Sequence, residues 1–327
     1  MPLPILVTGG AGYVGSHTCK ALSQAGFLPI SFDNLSNGHE WAVQWGPLVE
    51  GDILNPDDLD AAIAEYQPVA VLHFAALIEV GESVKFPGRF YRTNVTGALN
   101  VLEAMQRGDV DKFVFSSTCA VHGDVGDSLI SETSPIDPIS PYAKTKACVE
   151  NIMADFAISH GLNGTALRYF NASGADQDGD IGEAHDPESH LIPIACQAAL
   201  GQRAGMSIFG EDYDTPDGTC LRDYVHVTDL ADAHVKALTR LLDGQNGIDQ
   251  FCLGGGIGTS VREVLEAVKE VSGVDFPIAM EERRPGDAPR LVADINKAQT
   301  VLGWSAKESS LTNIVQTAWN WHKSQQK

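Results

Sequence analysis

The sequence predicts an α/β fold: a doubly wound parallel sheet carrying a smaller, mixed C-terminal lobe. Three observations lead there. Short apolar runs alternate with helical stretches over the first 170 or so residues. A glycine-rich loop follows the first run directly. The pattern then loosens after Asn171.

The apolar runs are ILVT (5–8), LPISF (28–32), PLVEG (47–51), VAVLHFA (69–75), KFVFSS (112–117) and TALRYF (165–170). Between them, residues 14–25, 57–66, 95–106 and 142–159 read as helices. Ser140 is a good N-cap for the last of these, and Pro141 suits its first position. Residues 172–224 are rich in Gly, Asp and Pro, as a loop-heavy lobe above the sheet would be. A helix (229–242) and a short strand (250–253) return to the first domain. The lobe resumes with helix 260–272 and ends in an amphipathic helix, 309–323. There is no internal repeat and no low-complexity linker.

A chain of 327 residues with 43% hydrophobic content can bury a sizeable core. The apolar run Leu3 to Val7 is too short for a membrane span and lacks the basic flank of a signal peptide. Cys19, Cys119, Cys148, Cys196, Cys220 and Cys252 are scattered without a CxxC. That pattern suits reduced thiols in a cytoplasmic protein rather than a disulfide framework or a zinc site, and no metal is expected. The net charge of −21, from 43 acids against 22 bases, repels nucleic acid and anionic membranes. An anionic substrate has to be held by a few local arginines.

The loop VTGGAGYVGSH (7–17) runs from the first strand into a helix, with Gly9, Gly12 and Gly15 spaced GxxGxxG. Glycines allow the tight turn and the close backbone approach to a pyrophosphate, and the helix N-terminus favours its charge. Asp33, at the end of the second strand, stands where an acid bonds the adenosine ribose hydroxyls. The competing reading of Asp33, a turn residue before Asn34, is outweighed by the coincidence of both features. An acid here also repels a 2′-phosphate, which selects NAD over NADP. Asp52, ending the third strand, is expected near the adenine, with Phe74, Ala75 and Ala76 beside the pyrophosphate. Tyr13, Val14, Asn34, Asn37, Gly38, Ile53 and Asn94 complete the expected cofactor contacts. Residues 1–171 are therefore read as a Rossmann-type NAD-binding domain with returns at 225–254, and residues 172–224 and 255–327 as a substrate-binding lobe.

The fifth strand ends in FSSTCAVHG, which delivers Ser116, Ser117 and Thr118 to the carboxyl edge of the sheet, where open α/β sheets bind ligands. The next helix opens with SPYAKTKA, placing Tyr142 and Lys146 one turn apart. Alone, such a pair is an aromatic ring covered by a lysine stem. Beside a dinucleotide loop and a strand-end hydroxyl it becomes a hydride-transfer site. Lys146 and the helix N-terminus are expected to bring the phenol down from about 10 and make it a usable general base.

These residues resemble the extended short-chain dehydrogenase/reductase family, in which the Ser/Thr–Tyr–Lys set is catalytic. The stretches ALRYFNASGAD, HLIPIA, IFGEDYDTPDGTCLRDYVHVTDLADAHVKAL and RRPGDAPRLVAD narrow the resemblance, which spans Leu6 to about Gly303, to the UDP-glucose (UDP-galactose) 4-epimerases. The resemblance implies that Tyr142 takes the proton of the sugar 4-hydroxyl while NAD takes the C4 hydride. Thr118 bonds that hydroxyl, and Lys146 holds the nicotinamide ribose, near which Phe170 lies. The 4-keto sugar turns and receives hydride on its other face, interconverting UDP-glucose and UDP-galactose. This demands strong anchoring of UDP and a loosely held sugar.

By the same resemblance, Asn171, Arg222 and Arg284 hold the diphosphate, Ser207, Ile208 and Phe209 line the uracil, and Asp287 meets the uridine ribose. Leu191 and Tyr224 join the substrate contacts. The competing readings are that Arg222 pairs with Asp223 and that Phe209 is core. His190 is expected to donate to substrate, the alternative being a surface histidine. Leu291 borders the sugar pocket, and its volume is expected to govern whether an N-acetyl group fits. Ile78 stands where some relatives carry lysine, and His122, replacing a common tyrosine, is assigned a packing role. Relatives pair through helices at roughly 81–106 and 142–159, which makes a homodimer the expected assembly. A 4,6-dehydratase of the family carries Thr-Asp-Glu where this chain has Thr118-Cys119-Ala120. Water elimination lacks its carboxylates here.

Overall fold

Alternate residues of the first strand serve two different cores. In β1 (Pro4–Thr8), Ile5 and Val7 enter one apolar layer and Leu6 the other, because side chains alternate across a strand. All three are fully buried. A strand covered on both faces reads as an uninterrupted apolar run, which is why these strands are visible in the sequence. The computed structural model describes residues 1–126, 128–284 and 287–326.

The strands β2 (Leu28–Asp33), β3 (Leu48–Glu50), β4 (Ala70–His73), β5 (Lys112–Thr118) and β6 (Asn163–Tyr169) follow. Helix α1 (Tyr13–Gln24) links β1 to β2, and α2 (Pro56–Tyr66) links β3 to β4. Next come α3 (Val80–Lys85), α4 (Pro87–Phe90), a π-helical turn (Tyr91–Thr96) and α5 (Gly97–Arg107), then α6 (Pro141–His160) before β6. Helix α6 starts as expected: the Ala143 N–H donates to Ser140 Oγ at 3.2 Å, and Pro141 occupies the first turn.

The second half runs β7 (Asn171–Ser173), α7 (Leu191–Ala199), β8 (Met206–Phe209), β9 (Leu221–His226), α8 (Val227–Leu242) and β10 (Ile248–Leu253). It ends with β11 (Gly258–Ser260), α9 (Val261–Ser272), β12 (Ile278–Glu281), β13 (Arg290–Leu291), α10 (Asn296–Thr300) and α11 (Leu311–Ser324).

Seven strands form one sheet in the order β10-β6-β5-β4-β1-β2-β3, every pair parallel. The order reverses between β1 and β4, so the crevice beyond their carboxyl ends is the expected ligand position. Residues of α2, α5 and α6 pack on one face and residues of α1 and α8 on the other. A third core, built from α7, α9 and α11, belongs to the lobe. There β9 pairs with β7, β11 and β13, while β8 and β12 make a separate parallel pair. Among the described residues, no helix is long and apolar enough to cross a membrane.

Two buried aspartates fasten the lobe. The Asp223 carboxylate, on β9, accepts N–H bonds from Gly255 (2.5 Å), Gly256 (3.0 Å) and Ala293 (3.0 Å). Burial pushes its carboxyl up to about 6 against those donors. Asp229, in α8, accepts from Lys307 N (3.1 Å), Glu308 N (2.9 Å) and Ser309 Oγ (2.6 Å), which ties the C-terminal segment to the sheet.

Besides His122, four histidines are buried with almost no exposure: His17, His73, His226 and His234. Burial holds His73 down at about 3 and each of the other three at about 4. In the unfolded chain they take up protons near pH 6.5, whereas the folded protein keeps them neutral. Their contribution is therefore present above pH 6.5 and is lost as pH falls toward 4. The free energy of unfolding is expected to drop by roughly 1.4 kcal/mol per pH unit for each such histidine between these limits. Urea denaturation at stepped pH checks this, and a profile flat from pH 7 to 5 contradicts it.

Candidate active site

The glycine loop is shaped by backbone contacts that leave no room for side chains. Gly9 has φ +76°, and its N–H donates to Phe32 O at 2.8 Å. A Cβ at Gly9 would lie 2.6 Å from Ala75 N, and one at Gly15 would lie 2.0 Å from Gly9 O. Helix α1 can thus start directly against the ends of β1 and β4. Asp33 is buried beside it: Oδ2 accepts from Ala11 N (3.0 Å) and Oδ1 from Leu35 N (2.9 Å). Burial raises its carboxyl above the usual range, opposed by these two N–H groups.

One cavity of about 650 Å³ joins this loop to the expected catalytic residues. Gly9, Gly12, Tyr13, Val14, Gly15 and Asp33 line it, as do Asn34, Asn37, Gly38, Asp52 and Ile53. Phe74, Ala75 and Ala76 follow at the end of β4. Side-chain-free backbone at Gly9 and Gly15, an acid at the end of β2 and a crevice of this size fit a dinucleotide. Asp52 is itself held, accepting from Leu54 N at 2.8 Å and from Asn34 Nδ2 at 3.2 Å.

Thr118, Tyr142 and Lys146 line the same cavity. Thr118 ends β5 and accepts from Ala120 N at 3.2 Å, which opens a short 3₁₀ turn over Cys119–His122. Lys146 is 3% exposed; its ammonium donates to Ser116 O at 2.8 Å and lies 4.9 Å from the centre of the Phe115 ring. Burial lowers it to about 7, with Glu150 opposing. The phenol of Tyr142 differs from the sequence expectation. Burial raises it, Tyr169 adds to the rise, and only the Thr118 hydroxyl pulls it down appreciably. The protein's own groups therefore favour the neutral phenol, because desolvation in a closed site disfavours the charged form.

Phe170, Asn171, His190, Leu191, Tyr224 and Leu291 also face the cavity, together with Arg222. Asn171 Nδ2 donates to Asp223 O at 2.8 Å. Arg222 does not pair with Asp223. It donates to Leu221 O (2.9 Å) and Ala288 O (2.8 Å) and faces Asp287 at 3.7 Å.

Several residues of the expected site do not line this cavity. Asn94 is not in the cavity wall: it bonds both Leu77 N (2.8 Å) and Leu77 O (3.0 Å), plus Thr145 Oγ1 (3.1 Å), so it shapes the loop after β4. Ser207, Ile208, Phe209, Arg284 and Asp287 are not in the cavity wall. Ile208 is 2% exposed and belongs to the lobe core, because alternate residues of β8 face inward. The Arg284 guanidinium covers Phe209, 4.5 Å from its ring centre, and bonds Asp287 at 3.1 Å. These residues form a chain leading outward from Arg222. His122 is buried, with Nδ1 on the carbonyls of Ser134 (3.1 Å) and Pro135 (3.0 Å), a packing contact.

Sequence reading missed Glu183, His185 and Glu188. His185 and His190 line the cavity, and Glu183 holds both of their Nδ1 atoms. Burial would lift the Glu183 carboxyl, yet these contacts hold it down at about 2, and Glu183 in turn outweighs burial to raise His190 to about 9. The dense EAHDPESH stretch (183–190) was the available signal.

Residues 5–251 match the NAD dependent epimerase/dehydratase family. The UDP-glucose 4-epimerase of Rhizobium leguminosarum bv. trifolii is 52% identical over 318 residues, 97% of each chain. The crystal structure of UDP-glucose 4-epimerase from Brucella ovis in complex with NAD superposes with a TM-score of 0.95 at 48% identity, covering 97% of this chain and 98% of that one. The Bifidobacterium longum enzyme in complex with NAD+ and UDP gives 0.92 at 35% identity, covering 98% of both. A glycine loop closed by backbone, an acid behind β2 and a Thr–Tyr–Lys set on one cavity agree with that kinship, and the chain belongs to the NAD dependent epimerase/dehydratase family.

Proposed function

We propose that this protein interconverts UDP-glucose and UDP-galactose by inverting the sugar at C4 through a transient 4-keto sugar. The observation that carries the reading is one cavity lined by the glycine loop, Asp33, Thr118, Tyr142 and Lys146 together. When bound, NAD would be held by the glycine loop and Asp33, and it would supply a reversible hydride acceptor and a positive charge. Tyr142 acts as the phenolate, which an added positive charge favours: it accepts the proton of the 4-hydroxyl and returns it when the ketose is reduced, while Thr118 bonds that hydroxyl and keeps the phenol aligned. Lys146, braced on Ser116 O, presents its ammonium to the nicotinamide ribose. Cys119 is no substitute for a dehydratase carboxylate, since burial raises its thiol to about 12. Arg222, Asn171 and Arg284 hold the diphosphate, with Asp287 at the uridine ribose and Ser207 and Phe209 at the uracil. Substrate binding energy then sits away from the reacting carbon, which leaves the ketose free to turn.

A homodimer and a cytoplasmic location complete the reading. Val84, Phe86 and Tyr91 are exposed apolar residues on the segment from α3 to the π-helical turn, and Ile158 on α6 is 87% exposed. All six cysteines are free, as in a reducing compartment.

The direct test is incubation of purified protein with UDP-galactose, without added NAD, and chromatographic resolution of the products. UDP-glucose must form with no accumulation of reduced nicotinamide. Absorbance of reduced nicotinamide rising in proportion to substrate consumed would mean a net dehydrogenase. Asp33→Ala is expected to purify with less bound NAD. Tyr142→Phe should lose about 10²–10⁴-fold in turnover while still binding UDP-sugar, with Thr118→Ala impaired less. Full activity of Tyr142→Phe refutes its role.

Leu291 lines the cavity and packs beside Phe170, Ile130 and Ala293. Its volume sets a graded preference for UDP-glucose and UDP-galactose over their N-acetyl counterparts, on the scale of about 1–3 kcal/mol. Leu291→Cys should raise the relative specificity constant for the N-acetyl pair and Leu291→Tyr should lower it. An unchanged ratio in both variants leaves Leu291 as packing only.

A further inference from the structure

Residues 183–190 place Glu183, His185, Glu188 and His190 in the spacing E-x-H-x-x-E-x-H. The fold turns them toward one point: a ligating atom from each lies within 4.8 Å of the other three. His185 Nδ1 is 3.0 Å from Glu183 Oε1 and 3.9 Å from Glu188 Oε1. His190 Nδ1 is 3.7 Å from Glu188 Oε1 and in close contact with Glu183. Around a tetrahedral ion with bonds of about 2.0–2.2 Å, ligand atoms stand roughly 3.3–3.6 Å apart, and the observed separations bracket that spacing.

The two carboxylates are 3% and 7% exposed and need a compensating cation. Among the described residues, neither lysine nor arginine pairs with them; their ion-pair partners are the two histidines. Glu188 Oε1 accepts from Ser189 N (2.7 Å) and His190 N (2.9 Å), while its Oε2 is buried without a partner. His185 Nδ1 also lacks an aligned hydrogen bond, despite its 3.0 Å approach to Glu183. A shared proton satisfies one imidazole–carboxylate pair. A divalent ion satisfies all four groups.

The acidic trio Asp176, Asp178 and Asp180 makes the contrast. The Lys20 ammonium bonds all three carboxylates at 2.8–3.0 Å, so that group already has its cation.

We propose that Glu183, His185, Glu188 and His190 bind one divalent transition-metal ion of the zinc class, as a closed four-coordinate structural site in the cavity wall. Two imidazoles and two carboxylates suit zinc better than calcium or magnesium, which take oxygen ligands. Four protein ligands leave no open position, so the ion takes no part in hydride transfer. It fastens the segment before α7, which also receives the Trp321 indole N–H on Glu183 O at 2.9 Å. Ligation through Nδ1 leaves the proton of each histidine on Nε2, making that nitrogen a hydrogen-bond donor. His190 is thereby fixed as a donor beside the substrate.

Metal content decides the matter independently of any turnover. Protein equilibrated with zinc sulfate and gel-filtered should retain about one zinc per chain by plasma mass spectrometry, the stoichiometry of a closed four-ligand structural site. Glu188→Gln and His185→Ala should weaken zinc binding by roughly tenfold or more, a loss that removal of even an outer-shell partner reaches. Asp178→Asn, at the acidic trio, should retain the full amount. Cobalt(II) in place of zinc should give the intense visible bands of a four-coordinate ion, absent in Glu188→Gln. Near-ultraviolet circular dichroism of the variants separates loss of a ligand from loss of the fold. Folded wild-type protein with only trace zinc, or equal zinc in wild type and in folded Glu188→Gln, overturns the proposal.

Discussion

A single carboxylate, that of Asp223, which has no charged partner among the described residues, holds the seven-stranded sheet and the lobe in register. It is fully buried, and the three N–H groups it accepts come from the turn after β10 and from the segment leaving β13. Burying such a group is costly unless its lone pairs are used, and here both oxygens are. The flanking residues of β9, Arg222 and Tyr224, alternate to the opposite side and line the cavity. Leu291, on β13, is placed by the same pairing, in register with Arg222. The backbone must come so close that a Cβ at Gly254 would stand 2.4 Å from Asp223 Oδ2. Releasing this carboxylate would therefore loosen three parts of the cavity wall together.

The sheet was legible in the sequence because its strands are apolar on both faces and punctuated by helices. The glycine loop, Asp33 and the Thr118–Tyr142–Lys146 set were legible because each sits at a fixed offset from a strand end. The lobe was not. Its central strand, LRDYVH, carries three ionisable residues besides its tyrosine, and its neighbours β7, β11 and β13 are two or three residues long. Such strands are specified by remote partners rather than by an apolar period. Asn94 is a related case: the sequence alone did not show that its buried amide bonds the Leu77 backbone. The uridine residues came from resemblance alone. The alternation of β8 shows why Ile208 faces the core while Ser207 and Phe209 do not.

The reaction site also shows how burial can reverse an argument made from charge. Lysine and helix end were expected to lower the Tyr142 phenol, but desolvation raises it and lowers Lys146 to about 7. Both shifts favour the uncharged form. In such a low-dielectric setting a charge brought in by a bound group acts strongly on both residues.

The parallel pairing of β10 with β6 bears on how the chain assembles. Gly164 pairs with Ile248 and Tyr169 with Leu253, so this edge is completed by residues made some eighty positions later. A nascent chain that has emerged only as far as α8 holds six strands of the sheet and leaves β6 as an uncovered apolar border. Bare strand borders recruit other chains. The lobe interposed between the two strands thus lengthens the interval during which this border stands open, and self-association during synthesis is the hazard that goes with this topology.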